Sequence, residues 1–314
     1  MKVLVAIDNR PSSQASMDAL VKMHWHEGTE IDLLNVSGPS SGTSIDEVLT
    51  ATFEEMESMA AELRNALPQC EVSCFAQSGD PKAVILQLAE QINADLIVLG
   101  SNCKSTLERL LLGSVCQSVL SAAHCPVIVA KTPCCLAREA APGFRNILVP
   151  IDKSILSDAA VQWLGNFNWA ADTKFTVVAV VDEDTDLKEV KQSLEKRAWS
   201  LSRVLQTTNI TTEIASGEPH QSIVNLSKKH YADLILMGSH QKSTGLKQKI
   251  LGSVSQSVLH DAPCAVAVVR GLAPETDGSR DGAFGKRKPV VKTTSSVRRD
   301  DRGDDAVHIV PAGF

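Results

Sequence analysis

The chain contains the same ordered set of motifs twice. Ala94–Gly100 has the sequence ADLIVLG, and Ala232–Gly238 has the sequence ADLILMG, 138 residues later. The units of solenoid proteins are much shorter, at about 20–50 residues. The chain is therefore predicted to hold two copies of one domain, and the differences between the copies become informative.

Further motifs flank both runs in the same order. An S-G-[DE]-P turn precedes each run, at Ser78–Pro81 and at Ser216–Pro219, and L-G-S-V-x-Q-S-V-L follows, at Leu112–Leu120 and at Leu251–Leu259. A length of 314 residues also suits about two domains. We predict a first domain at 1–132, a linker at 133–144, a second domain at 145–271, and a disordered tail of low apolar content at 272–314.

Composition limits the environment and the partners. The apolar fraction is 43%, and no apolar run reaches the roughly 18 residues that a membrane span needs. The N-terminal MKVLVAIDNR is too short and too soon charged for the apolar core of a signal peptide, so we expect a cytoplasmic protein with no membrane partner. The net charge of −6 argues against nucleic acid as a partner, since such sites need a basic surface.

The eight cysteines show no common disulfide plan, because seven fall in or just after the first copy and no C-x-x-C pair occurs. We expect reduced thiols that pack as small apolar side chains. Zinc binding or redox sensing at Cys134 and Cys135 is the alternative.

Short apolar runs alternate with amphipathic stretches in each copy. The first runs are Lys2–Ile7 and Asn146–Ile151. Ser12 or Ser13 is expected to cap the helix that follows in copy one, and the matching helix is expected near Ser154. This alternation predicts parallel strands joined by helical crossovers. The predicted fold class is α/β, with two doubly wound parallel five-stranded sheets of order 3-2-1-4-5 in tandem.

The fifth apolar runs predict how the copies meet. Pro126–Lys131 and Ala265–Arg270 end their sheets and are apolar, and an exposed apolar sheet edge invites association. We predict that these strands meet edge to edge, which makes the chain an intrachain pseudo-dimer. A homodimer of whole chains is a further expectation.

A ligand crevice is predicted between strands one and four, where the winding direction reverses. Asp8 and Gly100 leave these strands in copy one, as Asp152 and Gly238 do in copy two. The carboxylate can accept hydrogen bonds from ribose hydroxyls. Each glycine is expected to allow a positive φ and a close approach of ligand to the backbone. Alternatively, the glycines serve plain turns and the aspartates cap them.

A second pair of motifs adds a predicted phosphate site. Gly113 and Ser114 open a helix in copy one, and a helix N-terminus offers unpaired N–H groups to an anion. Ser114 as a simple helix cap is the alternative. Neither a P-loop nor a G-x-G-x-x-G fingerprint occurs. No nucleophile elbow, paired-carboxylate signature or metal-ligand cluster stands out, so we do not expect an enzyme.

These motifs together resemble a tandem universal stress protein. The resemblance rests on the strand-one runs ending in Asp8 and Asp152, the S-G-[DE]-P turns, the ADLI segments followed by Gly-Ser, and the LGSV segments, and it covers about residues 1–271. ATP-binding members of the family carry G-x2-G-x9-G-[ST], an aspartate ending strand one, and a valine after strand two whose backbone meets adenine. The resemblance thus implies an ATP site at Asp8, Val36, Gly100, Gly113, Ser114 and Val115 in copy one, and at Asp152, Val180, Gly238, Gly252, Ser253 and Val254 in copy two.

Both copies depart from the family's pattern at its second glycine. Cys103 and Gln241 stand there, and a non-glycine residue at a positive φ costs about 1–2 kcal/mol. Copy one keeps nine residues between Cys103 and Gly113, whereas copy two has one residue more, so the spacing favours copy one. Lys104 and Lys242 could contact phosphates in these loops. The alternative is that both are solvated lysines of the loop surface.

The sequence thus predicts a cytoplasmic stress-response protein that binds ATP and acts through binding or signalling, with protein partners it does not name. An interaction protein with degenerate, empty clefts is the first alternative. A weak adenine-nucleotide hydrolase is the second.

Overall fold

The structure is a computed structural model of the chain, and it describes residues 1–8, 11–38, 45–101, 112–131, 143–152, 155–182, 184–239, 242–244 and 248–270. The chain divides into a unit Met1–Gly271 and a second unit Leu272–Phe314. The second unit, and most of the predicted linker, lie outside the described residues.

Both copies contain the predicted alternation of strands and helices. Copy one consists of β1 (Lys2–Ile7), α1 (Pro11–Lys22), β2 (Thr29–Ser37), α2 (Ile45–Ala66), β3 (Cys70–Ser78), α3 (Pro81–Ile92), β4 (Leu96–Ser101), α4 (Ser114–Ala122) and β5 (Val127–Lys131). Copy two consists of β6 (Asn146–Ile151), α5 (Ile155–Leu164), β7 (Lys174–Val181), α6 (Leu187–Leu205), β8 (Ile210–Ser216), α7 (Pro219–Lys229), β9 (Leu234–Ser239), β10 (Lys242–Thr244), β11 (Gln248–Ile250), α8 (Ser253–Asp261) and β12 (Ala265–Arg270).

The S-G-[DE]-P turn starts α3 in copy one and α7 in copy two. Each places a proline in the first helical turn, where the missing N–H is no loss and the fixed φ suits a helix. Gly79 and Gly217 have φ values of 145° and 115°, which favour glycine. Glu218 caps α7 by accepting a hydrogen bond from the Gln221 N–H, and this satisfies one of the unpaired donors of the helix.

The strand order confirms the predicted topology. Within each copy the five long strands pair in parallel in the order 3-2-1-4-5. The two five-stranded sheets then continue into each other, because β5 pairs antiparallel with β12. The result is one ten-stranded sheet of order β3-β2-β1-β4-β5-β12-β9-β6-β7-β8. The prediction that the fifth strands join the copies edge to edge is therefore confirmed.

Alternate side chains of the sheet enter two apolar layers, one on each face. Val3 and Val5 of β1 share a buried cluster with Val149 of copy two. Leu4 of the same strand lies in the opposite cluster, with Leu148 of copy two. This alternation follows from the two-residue period of a strand. Each layer draws on both copies, so the core runs through the whole ten-stranded sheet.

An aromatic group joins the copies on one face. The ring of Trp25 lies 5.6 Å from that of Phe167, edge to face, and Phe167 also meets Trp163 and Trp169 at 4.6 and 5.8 Å. The backbone supports this contact, since the Asn168 N–H donates to the His24 carbonyl at 2.9 Å. Edge-to-face pairs of this kind stabilise a core beyond the area they bury.

A buried lysine joins the copies across the sheet junction. Lys131 ends β5 and is 9% exposed. Its ammonium donates to the carbonyls of Ala262 at 2.7 Å and His260 at 3.3 Å. These carbonyls end α8, where helix carbonyls lack partners and the helix dipole is negative. Copy one therefore supplies a cation that completes a helix of copy two.

The described cysteines fit the expectation that they are reduced thiols. Cys70, Cys74, Cys116 and Cys264 form no disulfide, and burial raises the pKa of Cys74 and of Cys264 to about 12. These thiols pack as small apolar side chains, as predicted; Cys134 and Cys135 lie outside the described residues.

Among the described helices, none is long and apolar enough to span a membrane.

A charge placed in the β5–β12 junction should destabilise the protein strongly. Ile128 is fully buried and pairs with Ala267 across the junction. An aspartate there would be buried without a partner, so we expect Ile128→Asp to cost about 3–5 kcal/mol of unfolding free energy. Urea denaturation would measure the loss. Val21→Asp is the control, because Val21 is 47% exposed; equal stability of the two variants would contradict the junction's role.

Asp32 should make stability fall as the pH rises. Its carboxyl group is buried on β2, and burial, with the nearby Glu30 charge, raises its pKa to about 6. Between about pH 4 and pH 6 the folded chain therefore binds more protons than the unfolded chain, so its stability decreases with rising pH there.

The variant Asp32→Asn removes this penalty. We expect it to stabilise the protein by about 1–2 kcal/mol at neutral pH, with solvent screening taken into account, and to give no gain below about pH 4. Thermal melting over the pH range measures this. Glu71→Gln, at an exposed position on the neighbouring strand, is the control for net charge. A gain that did not depend on pH would contradict the assignment.

Candidate functional site

The strand ends that define the predicted crevice lie side by side in both copies. β1 pairs with β4 in copy one, and β6 pairs with β9 in copy two. Asp8 follows β1 and Asp152 follows β6. Because these strands are parallel, their carboxyl ends meet at the same edge of the sheet as Gly100 and Gly238.

Two serine hydroxyls hold the Asp8 carboxylate. Ser12 Oγ donates to Asp8 Oδ1 at 2.9 Å, and Ser13 Oγ lies 3.0 Å from the same oxygen. The Asp8 N–H donates to Ser13 Oγ at 2.6 Å. The prediction that Ser12 or Ser13 caps α1 is wrong, because α1 begins at Pro11. Both residues lie in the first turn, and their hydroxyls turn back to the end of β1.

In copy two, Ser157 is the serine that the described residues place at the aspartate. Ser157 Oγ donates to Asp152 Oδ1 at 2.8 Å, and the Asp152 N–H donates to Ser157 Oγ at 2.9 Å. Ser157 corresponds to Ser13, whereas Leu156 stands at the position of Ser12. Asp152 is exposed and Asp8 is half-buried. The carboxylate of copy two is therefore the more accessible.

Gly100 is a glycine because α1 passes close to it. Its φ is not positive, and neither is that of Gly238, so the expectation of a left-handed turn is wrong at both positions. A Cβ on Gly100 would overlap the carbonyl oxygen of Ser12. The residue thus lets the first turn of α1 pack directly on the end of β4.

The glycines before α4 and α8 leave open space. Gly113 has φ −54° and ψ 149°, and Gly252 has φ −58° and ψ 145°, which are values open to any residue. A Cβ on Gly113 would meet nothing within 4 Å, and one on Gly252 would lie 4.0 Å from Ser239 Oγ. Both are N-cap residues, and a glycine has no side chain with which to cap the helix. Backbone geometry therefore does not explain glycine at these positions.

Cys116 connects the three parts of the site in copy one. It lies in the first turn of α4, and its thiol donates to the Gly100 carbonyl with a sulfur–oxygen distance of 3.7 Å. Burial raises the pKa of this thiol to about 11, and the Asp8 carboxylate contributes in the same direction. The end of β1, the end of β4 and the start of α4 are therefore close together, as the sequence predicts.

Ser239 is a candidate site residue that the sequence motifs did not nominate. It follows Gly238 at the end of β9 and is 4% exposed. Among the described side chains, its hydroxyl is one of the few buried polar groups with no hydrogen-bond partner. It faces the start of α8, where a Cβ on Gly252 would be its neighbour. The only sequence signal is the Gly-Ser pair that both copies share, as Gly100-Ser101 and Gly238-Ser239.

The remaining nominated residues line the same face of the sheet. Val36 and Val115 of copy one, and Val180 and Val254 of copy two, are partly buried against the apolar cluster that carries α4 and α8. Ser114 and Ser253 are exposed in the first turns of these helices. Each copy therefore offers an apolar surface beside a carboxylate and a helix N-terminus.

The connecting loops lie largely outside the described residues. These include Cys103, Lys104 and Gln241, and the side chain of Lys242. In copy two, β10 and β11 form a short antiparallel ladder that was not predicted, with Ser243 opposite Lys249. Within the described ranges, no group of three acidic, histidine or cysteine side chains is placed to hold a metal ion.

The different roles of the glycines give a testable contrast. Gly100→Ala should lower the unfolding free energy by about 2–4 kcal/mol, because its Cβ would overlap backbone. Gly113→Ala should cost less than about 1 kcal/mol, the usual loss at an N-cap. Chemical denaturation of both variants tests this. A stable Gly100→Ala protein would show that α1 does not pack on β4 as described.

Comparison with known proteins shows to which family the chain is related. The profile of the universal stress protein family matches residues 1–131 and 143–270. Universal stress proteins of Mycobacterium bovis and Mycobacterium tuberculosis are 30% identical over 189 residues, which is 56% of this chain and 62% of each relative, so the match spans less than two thirds of their length. The crystal structure of a universal stress protein from Archaeoglobus fulgidus covers 86% of this chain and 98% of its own, with a TM-score of 0.65 and 24% identity, which supports the fold. Since the family profile matches twice, once over each copy, the chain belongs to the universal stress protein family and carries two of its domains in tandem.

Proposed function

We propose that the protein is a stress-response factor that binds an adenine nucleotide, ATP first among them, in its strand-end crevices and acts through binding or signalling. One observation carries the proposal most directly: the buried hydroxyl of Ser239 has no hydrogen-bond partner among the described residues, and it faces the start of α8. An unsatisfied buried hydroxyl costs about 1–3 kcal/mol. A phosphate oxygen at the helix N-terminus would accept its hydrogen bond.

The helix starts supply the rest of a phosphate site. Gly113 and Gly252 leave room for an anion next to the unpaired N–H groups of α4 and α8. Ser114 and Ser253 add exposed hydroxyls in the same turns. The helix dipole favours a negative group at this end. The family resemblance assigns the triphosphate to the same residues.

The carboxylates and the apolar face suit the nucleoside. Asp8 and Asp152 are held in place by serine hydroxyls, so they are oriented before a ribose arrives. Val36 and Val180 lie beyond them on the partly buried apolar face, and the resemblance assigns their backbone to adenine.

The two copies differ in what they offer. The loop spacing favours copy one, but the side chains favour copy two, where Asp152 is exposed and Ser239 has no partner within the described ranges. We assign the tighter cleft to copy two, because an unsatisfied donor gains most from a ligand. The alternative, an interaction protein with empty clefts, is favoured by Cys103 and Gln241 at the glycine positions of the motif.

Nucleotide titration of matched variants tests this proposal. Asp152→Ala should weaken ATP binding by about 10- to 100-fold, which corresponds to one charge-assisted hydrogen bond of about 1.5–3 kcal/mol. Ser239→Ala should weaken it about tenfold. Asp8→Ala and Ser101→Ala are the equivalent changes in copy one and should have smaller effects on the tighter site. Isothermal calorimetry with ATP, ADP and AMP would resolve the two affinities.

Two outcomes would change the assignment. Loss of binding in Asp8→Ala but not in Asp152→Ala would move the tighter cleft to copy one. No binding of ATP at millimolar concentration by wild-type protein, with the fold intact, would replace the proposal with the interaction-protein alternative.

A further inference from the structure

Helix α6 of copy two has a basic outer face with an exposed tryptophan at its centre. Five of its charged residues are basic and two are acidic. Trp199 is 64% exposed, and the Arg203 guanidinium carbon lies 5.4 Å from the centroid of its ring. The buried residues Val190, Leu194 and Leu201 lie on the other side of the helix. Tryptophan and arginine together are typical of the residues that dominate protein–protein contacts.

Helix α2, the equivalent helix of copy one, has an acidic outer face with small residues along it. Six of its charged residues are acidic and one is basic. Met56, Ala60 and Leu63 are buried in the core. Ala51 and Ser58 are exposed on the other side of the helix. The outer faces of α2 and α6 are therefore opposite in charge, and α2 leaves space where α6 carries a large ring.

The charges on the two faces have the same spacing. Three exposed basic residues follow one another along α6 at intervals of 8 and 7 residues: Lys188, Lys196 and Arg203. Three exposed acidic residues follow one another along α2, in the reverse direction, at the same intervals: Glu62, Glu54 and Glu47. Intervals of 7 and 8 residues are about two helical turns, so each set lies along one side of its helix. The two sets match when the helices are antiparallel.

An antiparallel pairing brings each cation opposite a carboxylate. The pairs are Lys188 with Glu62, Lys196 with Glu54, and Arg203 with Glu47. In the same register Trp199 falls opposite Ala51, whose small side chain leaves room for the indole. Glu195 falls opposite Glu55, and this single like-charge contact reduces the net attraction.

These two faces cannot meet within one chain. Helix α2 packs on β2 and β3, and α6 packs on β7 and β8. β2 and β7 are seven places apart in the ten-stranded sheet, which is about 30 Å at about 4.8 Å per strand. Any contact between the faces must therefore join two chains.

The fold allows two chains to make this contact twice. Both helices pack in the same apolar layer, on one face of the sheet. They run in opposite directions, because β5 and β12 are antiparallel. A two-fold axis parallel to the strands then brings α2 of each chain against α6 of the other, with the helices antiparallel. Such a contact is closed and needs no third chain.

We propose that two copies of the chain form a dimer in which α2 of each chain packs antiparallel against α6 of the other. Trp199 packs on the partner's Ala51 and supplies most of the binding energy, as a buried aromatic side chain does at the centre of an interface. The charged pairs lie around it, so they fix the register and speed the encounter. Because these charges are partly in water, salt weakens the dimer.

Sedimentation velocity of the full chain tests the dimer and its anchor. The dissociation constant should rise as salt increases from about 50 mM to about 500 mM. Trp199→Ala should weaken the dimer about 30-fold or more, the usual effect of losing an interface anchor. Tyr231→Asn is the control: Tyr231 is 73% exposed after α7, on the other face of the sheet, and Asn93 has a similar φ at the equivalent position. The control should dimerise like wild type.

Exchange of charges tests the register. Lys196→Glu and Glu54→Lys should each weaken the dimer about tenfold or more, because like charges then face each other. The chain with both substitutions should dimerise nearly as tightly as wild type, since opposite charges face each other again. Lys228→Glu, at an exposed position of α7, is the control for net charge and should have no comparable effect.

Three results would overturn the proposal. One is a wild-type chain that stays monomeric at low salt, which would leave α6 to an acidic partner of another kind. The second is a dimer that Trp199→Ala leaves as tight as before. The third is a doubly substituted chain that dimerises no better than the two single variants.

Discussion

The antiparallel pairing of β5 with β12 is the interaction on which the rest of the molecule depends. Each copy alone would end in an apolar strand with unpaired backbone groups, which is an unstable surface in water. Pairing removes both edges and produces one ten-stranded sheet. It also brings Lys131 to the end of α8 and Trp25 to Phe167. These contacts would be lost if the copies separated.

The candidate site of copy one depends on contacts that bring the ends of β1 and β4 close to the start of α4. In copy one, the first turn of α1 packs against the Gly100 backbone. The Cys116 thiol of α4 donates a hydrogen bond to the Gly100 carbonyl. The hydroxyls of α1 then orient the Asp8 carboxylate. The groups of the candidate site are therefore held in position by contacts within the protein itself.

Much of this structure could be predicted from the sequence, because it follows from periodicity and repetition. The apolar runs predict the strands, and the terminal position of the fifth runs predicts their pairing, which the structure confirms. Contacts between residues distant in sequence could not be predicted in this way. Gly100 was expected to have a positive φ, but its φ is not positive. A glycine is required there because a Cβ would overlap the Ser12 carbonyl oxygen. The unpartnered Ser239 hydroxyl and the buried Lys131 are likewise visible only once the helices are placed.

Covalent fusion of the two copies removes a restriction that a symmetric dimer imposes. In a dimer of identical chains every substitution is present in both halves, so each must be tolerated twice. Here Lys82 and His220 hold equivalent positions with different chemistry, and the sequence of copy two has Leu156 where copy one has Ser12. The two halves share a core but not their side-chain chemistry. One half can therefore acquire side chains that the other half does not carry, while the shared sheet keeps both in one body.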